Sequence, residues 1–214
     1  MTVLVIERAG PAMSVQDAGR PGGLGLGVSR GGAADRLAYL EGLALLGLPI
    51  GTAAVEMAGI GGVFRFEAPC RFALTGAEMR ATLDGQPLEH RASHLANAGA
   101  RLQIGSFERG VYGYLNVAGG IDTALEFGGR GFHRIAGFGR ALSDGDRLPV
   151  MADGDLGAAP RRLEGRAAEG PIRVMPGPQT EAFPDEVRAR FEDTGFTRST
   201  RANRQGCLLY TSDA

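Results

Sequence analysis

Five residues able to bind or orient a ligand lie in one polar, glycine-dense stretch, Ser14 to Asp35 (SVQDAGRPGGLGLGVSRGGAAD): Gln16, Asp17, Arg20, Arg30 and Asp35. Glycine leaves backbone N–H donors open to a ligand, because no side chain blocks the approach. Arginine holds a carboxylate in a bidentate fork. Gln16, Asp17 and Arg20 are therefore candidate loop organisers or ligand contacts, and Arg30 is a candidate anion contact. Asp35 stands directly before an apolar-periodic run, so it reads as a helix cap in preference to a base. A loop of this length inside a compact domain is a binding loop or a solvated connector. The strength of its flanking elements favours an ordered loop over a site. If Arg20 contacts a ligand, Arg20→Ala should reduce activity and spare the thermal transition.

The elements that must position this loop are mostly strands. Thr2 to Glu7 is an apolar, β-branched run closed by Ala9-Gly10-Pro11. Ser14-Val15-Gln16 reads as a short second strand. Beyond the loop, Leu37, Leu40, Leu43, Ala44 and Leu46 follow helical spacing, with Gly47 and Pro49 as the stop. From Ala53 to Val150 the pattern has period two. Phe64 and Phe66 alternate with Arg65 and Glu67, and Met79, Ala81 and Leu83 alternate with Arg80, Thr82 and Asp84. Asp84-Gly85 is a hairpin turn signal. Leu102 and Ile104 mark one strand and Val111 to Val117 another, with Val111, Leu115 and Val117 on one face. Asp122 reads as a cap for a short helix at Thr123 to Phe127. Asp144-Gly145-Asp146 is a turn before a closing strand. Such short strands with frequent turns predict a mainly β fold with a few helices, a barrel or a sandwich.

The C-terminal part changes character. Residues 152–170 are polar and rich in Ala and Gly, and read as a linker after a first unit of residues 1–151. A new strand is expected at Ile172-Arg173-Val174-Met175, then a helix opened by Pro184, with Val187 and Phe191 as its apolar contacts and Gly195 as its end. A strand should start at Phe196, so residues 171–206 read as the start of a second subdomain. The last eight residues, CLLYTSDA (207–214), resemble the in-frame translation of a transposase sequencing adapter and are expected to be foreign to the natural sequence.

Whole-chain properties narrow the function. Among 214 residues the formal net charge is −1, so no global field draws the chain to nucleic acid or membrane. No apolar run reaches membrane-spanning length, and the N-terminus lacks a signal-peptide pattern. Two cysteines, Cys70 and Cys207, are too few for a disulfide framework, which fits a reducing cytoplasm. His90 and His94 are four residues apart, but no third ligand lies near them, so they read as a solvated surface and no metal site is expected. A Walker A lysine motif and a GxSxG elbow are absent.

Several of these stretches together resemble a known family. Val15-Gln16-Asp17-Ala18-Gly19-Arg20-Pro21-Gly22 resembles the VQDxGRxG motif of the allophanate hydrolase subunit 2 family, the biotin-dependent carboxyltransferase component of 5-oxoprolinase and urea amidolyase systems. Gly27-Val28, Gly32 and Asp35 are similar to its GVxxSGxMD segment. Ala73-Leu74-Thr75-Gly76-Ala77, Leu83-Asp84-Gly85, Val117-Ala118-Gly119-Gly120-Ile121-Asp122 and Leu142 with Gly145-Asp146 follow in order. Met175-Pro176-Gly177-Pro178-Gln179 and Asn203-Arg204-x-Gly206 resemble its GPQ and NRMG motifs. Two departures remove hydroxyls: Gly31 stands where the family has serine, and Gly128-Gly129-Arg130-Gly131-Phe132 replaces its GSxST.

The resemblance implies a cyclophilin-like β-barrel followed by a second, similar subdomain. It implies one component of an ATP-dependent 5-oxoprolinase or biotin-dependent carboxyltransferase acting on a small amide or cyclic amide. The candidate substrate-binding residues are Gln16, Asp17, Arg20, Arg30, Asp35 and Arg130, with Gln179 and Arg204 expected to face the site from the second subdomain; the catalytic base is not identified. The implied partners are a subunit 1-type protein, a biotin carboxylase with its biotin carrier protein, or a LamB/YcsF-type subunit. No cofactor is assigned to this chain itself; carboxybiotin or an ATP-derived phosphorylated intermediate would act through the complex. The alternative is a non-catalytic regulator that antagonises a histidine-kinase inhibitor by binding its subunit 1-like partner.

Overall fold

The computed structural model describes residues 2–164, 173–204 and 206–211, without the side chains of 200–203, 207 and 208. These residues divide into two units, Met1–Gly165 and Arg166–Ala214.

The first unit is a mainly β structure built on one nine-stranded sheet. Its strands are β1 (Thr2–Arg8), β2 (Ser14–Gln16), β3 (Ala54–Ala58), β4 (Val63–Phe66), β5 (Cys70–Leu83), β6 (Gln86–Pro87), β7 (Ala92–Ala96), β8 (Arg101–Val117) and β9 (Arg147–Val150). The order is β2-β3-β8-β4-β1-β9, with β5 paired to β6, β7 and β8. The two stretches at Leu102 and at Val111–Val117 prove to be one 17-residue strand. Its first part pairs with β4 and its last part with β3, while β5 runs beside it through three register shifts. Such shifts raise the local twist and bend a strand, and the sheet curls into a half-barrel. Asp84 and Gly85 both take positive φ, as the hairpin signal requires.

Alternation sets what lies inside the curl. Leu4, Ile6, Phe64, Phe66, Phe72, Leu74, Leu102, Ile104, Leu115 and Val117 meet in one core. Cys70 belongs to it, and burial pushes its thiol pKa up to about 12. The opposite face is also covered. Helix α1 (Arg36–Leu46) lies on it and buries Ala38, Tyr39, Gly42, Leu43, Leu45 and Leu46. This face differs from the expected one: Leu37 and Ala44 point to solvent. The cause is close approach, since the small residues Ala38 and Gly42 share one face at i, i+4. A Cβ added at Gly42 would stand 1.8 Å from Asn116 Nδ2. Gly42→Ala should therefore destabilise the unit by about 1–3 kcal/mol through overpacking, although alanine is the better helix former by about 1 kcal/mol. A urea unfolding curve decides the sign.

The segment after β9 returns to the sheet. Asp153 accepts from Arg71 Nε at 2.9 Å and Nη2 at 2.8 Å. Further on, Leu163 N donates to Arg91 O and Ser93 N to Arg161 O. Burial alone would raise the Asp153 carboxyl, but the Arg71 guanidinium and the backbone N–H groups of Asp155 and Arg71 outweigh it and hold the pKa below its ordinary 3.8. A depressed folded-state pKa contributes stability that is present above the unfolded value and lost as pH falls through the folded one. Acid unfolding should thus set in below about pH 4, and Asp153→Asn should flatten that part of the stability–pH profile.

Three sequence expectations are corrected here. No helix forms at Thr123–Phe127, and Asp122 caps nothing; it pairs with Arg130 Nη2 at 2.7 Å. His94 lies on β7, half-buried, with its ring 5.4 Å from that of Phe72 and its Nε2 bonded to Glu89 O. His90 is half-buried too, and burial lowers its pKa. The polar residues around both conceal a strand edge. Residues Arg173 to Met175 form no strand; Ile172 lies outside the described residues.

The second unit holds helix α2 (Asp185–Asp193), begun by Pro184 as expected, and an antiparallel pair, β10 (Phe196–Asn203) and β11 (Gly206–Thr211). The Phe191 and Phe196 rings are 5.3 Å apart. β11 includes five residues of the adapter-like tail.

Candidate functional site

Local geometry explains why the glycine loop is ordered. β2 delivers Gln16 and Asp17 into the interior, where they are 0% and 4% exposed. Asp17 Oδ1 accepts from Gly19 N at 2.8 Å, and its Oδ2 accepts from Arg130 N at 2.6 Å. Gln16 Nε2 donates to Ser14 Oγ and to Phe132 O. Arg20 is 1% exposed; its Nε donates to Glu126 O at 2.9 Å and its Nη2 to Gly129 O at 3.3 Å, and its guanidinium lies 4.7 Å from the centre of the Phe138 ring. These three side chains therefore clasp the segment 126–132, more than a hundred residues away, onto the loop. Arg130 completes the clasp, bonded to Thr123 O and ion-paired with Asp122.

Within the loop, Arg20 N donates to Arg30 O and Ala33 N to Asp17 O. Gly19 and Gly32 both have positive φ, and a Cβ on Gly32 would stand 2.7 Å from Gly19 N. Only glycine permits the two arms to lie this close. The loop tip is a 3-10 turn, Leu24–Leu26, whose two leucines are exposed. Phe127 lies beside Gly23 and stacks on Phe138 at 5.9 Å.

The far end of the loop hangs from the sheet. Ala34 N donates to Glu56 Oε2 at 2.9 Å, Asp35 N to Tyr114 OH at 2.8 Å, and Tyr114 OH to Glu56 Oε2 at 2.8 Å. Glu56 and Tyr114 are 1% and 0% exposed. Burial drives the Tyr114 phenol pKa well above its ordinary 10.0, so it stays a hydroxyl. Asp35 Oδ1 accepts from Ala38 N, the cap geometry expected of it.

The structure thus gathers Gln16, Asp17, Arg20, Arg30, Asp35 and Arg130 around one loop but gives them different exposures. Arg30 is the exposed one among them, with its Nε on Ala18 O at 3.2 Å, while Asp35 and Arg130 are half-buried. Gln179 and Arg204 are exposed residues of the second unit. Sequence reasoning missed Glu56, Tyr114, Ser29 and His133. Ser29 Oγ is 2.8 Å from His133 Nε2, across 104 positions of chain. Glu56 carried a signal, as an acidic residue within an apolar strand (AVEMA); the Ser29–His133 contact carried none.

The polar groups of this site are divided by role. Asp17 and Asp35 are used as internal acceptors, and Glu126 Oε2 accepts from Gly139 N. The exposed side chain of Arg30 adds guanidinium donors at the loop surface. A cavity of about 320 Å³ lined by residues including Leu83, Leu88, His94, Leu95, Pro160 and Arg162 shares no residue with the loop. Among the described residues there is no group of three His, Cys, Asp or Glu able to hold a metal ion, and no helix is long and apolar enough to cross a membrane.

The chain has counterparts among known proteins. The family model for the carboxyltransferase domain, subdomain A and B, matches residues 26–214. The chain belongs to that family. This carboxyltransferase-domain chain is 32% identical to a subunit of 5-oxoprolinase from Escherichia coli over 211 residues, covering 97% of itself and 68% of that protein. The like-named protein of Haemophilus influenzae is 30% identical over 201 residues, with 63% of its length covered. A putative urea carboxylase of Emericella nidulans is 31% identical over 204 residues, which make up 16% of that protein. The chain thus spans about two thirds of the length of its bacterial relatives and far less of the fungal one. Among solved structures, TTHA0988 superposes with a TM-score of 0.88 at 29% identity, covering 98% of this chain and 43% of that one. The Kluyveromyces lactis urea amidolyase shares the fold, with a TM-score of 0.82 at 23% identity.

Proposed function

We propose that this chain is a subunit of a multi-component enzyme that processes small amides, with 5-oxoproline as the substrate. The observation that carries this reading is its similarity, over 97% of the chain, to a subunit of 5-oxoprolinase. Fungal relatives named for urea carboxylase and urea amidolyase widen the class to small amides in general. The site supports such a role in physical terms. Amide activation builds negative charge on oxygen, which fixed donors stabilise, and the clasped loop presents donors on a rigid support.

The partners would be a homologous subunit 1-type protein and either a LamB/YcsF-type subunit or a biotin carboxylase with its carrier. The guanidinium donors of the exposed Arg30 fit the carboxylate of a carried N-carboxybiotin. Such a group, when bound, would supply an activated carboxyl. The test is reconstitution of the complete gene product with its partner subunits. ATP-dependent hydrolysis of 5-oxoproline should appear with the full set and disappear when this subunit is left out. Activity that is unchanged by the omission would overturn the proposal.

A further inference from the structure

We infer that Ser29, Arg30 and His133 form a carboxylate-binding subsite on the outer face of the glycine loop. The inference rests on the amide-processing reading and adds what part of the ligand this face would hold.

The His133 ring is set by its neighbours. Ala136 N donates to its Nδ1 at 3.1 Å, so in the neutral imidazole the proton sits on Nε2. That N–H donates to Ser29 Oγ at 2.8 Å. With its oxygen engaged as an acceptor, the Ser29 hydroxyl is left with its own proton to give. Arg30 lies next to it; among the described residues its side chain makes one hydrogen bond, from Nε to Ala18 O, and the residue is exposed. Among the described residues, no acceptor is bonded to the backbone N–H of Ser29, Arg30 or Gly31. Gly31 takes a φ of +62°, and a Cβ there would meet His133 Cδ2 at 3.2 Å, so its bare backbone lies close against the ring.

These groups are donors, and the loop's two carboxylates each accept from backbone N–H groups. Asp17 bonds Gly19 N and Arg130 N, and Asp35 bonds Ala38 N. A surface that offers guanidinium N–H groups, a hydroxyl proton and three backbone N–H groups suits an anion with two coplanar oxygens. It needs no buried charge, because the guanidinium already stands in solvent.

Two sources of that chemistry are open: the substrate's own carboxylate, or a carboxyl group in transit on a carrier. The experiment titrates the isotope-labelled full chain with sodium 5-oxoproline, with 2-pyrrolidinone (the same ring without the carboxylate) and with acetate, at constant ionic strength. The Ser29, Arg30 and Gly31 amide signals and the His133 ring signals are followed by NMR. 5-Oxoproline and acetate should shift these signals and 2-pyrrolidinone should not. Arg30→Ala should weaken binding about tenfold or more, the scale of one lost hydrogen bond to a charged group, with an unaltered melting curve. Ser29→Ala should weaken it less. If 2-pyrrolidinone binds as tightly as 5-oxoproline, or if both variants bind like the parent chain, the subsite is overturned. 5-Oxoproline binding tighter than acetate assigns the subsite to substrate. Equal binding leaves the subsite standing for a carboxyl in transit and counts against 5-oxoproline as the substrate.

Discussion

Arg20→Ala is expected to lower the unfolding free energy of the first unit by about 3–5 kcal/mol, because it removes two charged hydrogen bonds worth about 1.5–3 kcal/mol each and leaves two carbonyls facing a void. The side chain is 1% exposed and donates to Glu126 O and Gly129 O. Its position reverses the expectation, reasonable for a ligand contact, that the variant would spare the thermal transition. Arg20→Lys should recover little of the loss: a single ammonium lacks the planar fork that spans both carbonyls and stacks less well on Phe138. Urea denaturation of the three proteins measures this directly. A midpoint unchanged in Arg20→Ala would mean that the clasp holds without the guanidinium, and that Arg20 serves a ligand instead.

Glu56→Ala should cost about 1–3 kcal/mol, since the Tyr114 hydroxyl would be left buried without its acceptor, and the part-buried Ala34 N–H would lose its acceptor too. Glu56→Gln should cost far less, because its amide oxygen can accept from both donors, which converge on a single oxygen, Oε2. The pair of variants separates the hydrogen bonds from the negative charge. Amide exchange at Ala34 and Asp35 should quicken in Glu56→Ala and stay slow in Glu56→Gln. Similar losses in both would mean that the charge itself stabilises the loop end.

The period-two stretches and the glycine turns are readable because each states its own local geometry. Phe64 and Phe66 announce their face, Asp84-Gly85 its turn, and Asp35 its cap. The outer face of the sheet is harder. Tyr114 and Asn116 look like solvent-facing positions until α1 is laid over them, and no local rule says that it will be. His94 misleads for the same reason: its partner, Phe72, comes from another strand. Of the site, the motif residues Gln16, Asp17 and Arg20 can be picked out by type and spacing, but not their burial. Nothing short of tertiary structure brings Ser29 to His133.

The clasp between the glycine loop and segment 126–132 also bears on the order of folding. Arg20 can find the carbonyls of Glu126 and Gly129 only after the intervening strands have brought the two ends together. Contacts this distant in sequence carry a large loop-closure cost until the sheet exists. The sheet should therefore assemble first and the site last. Destabilising changes inside the clasp would then speed unfolding more than they slow folding. The surface proposed to meet a ligand is, on this account, the final piece set in place and the first to open.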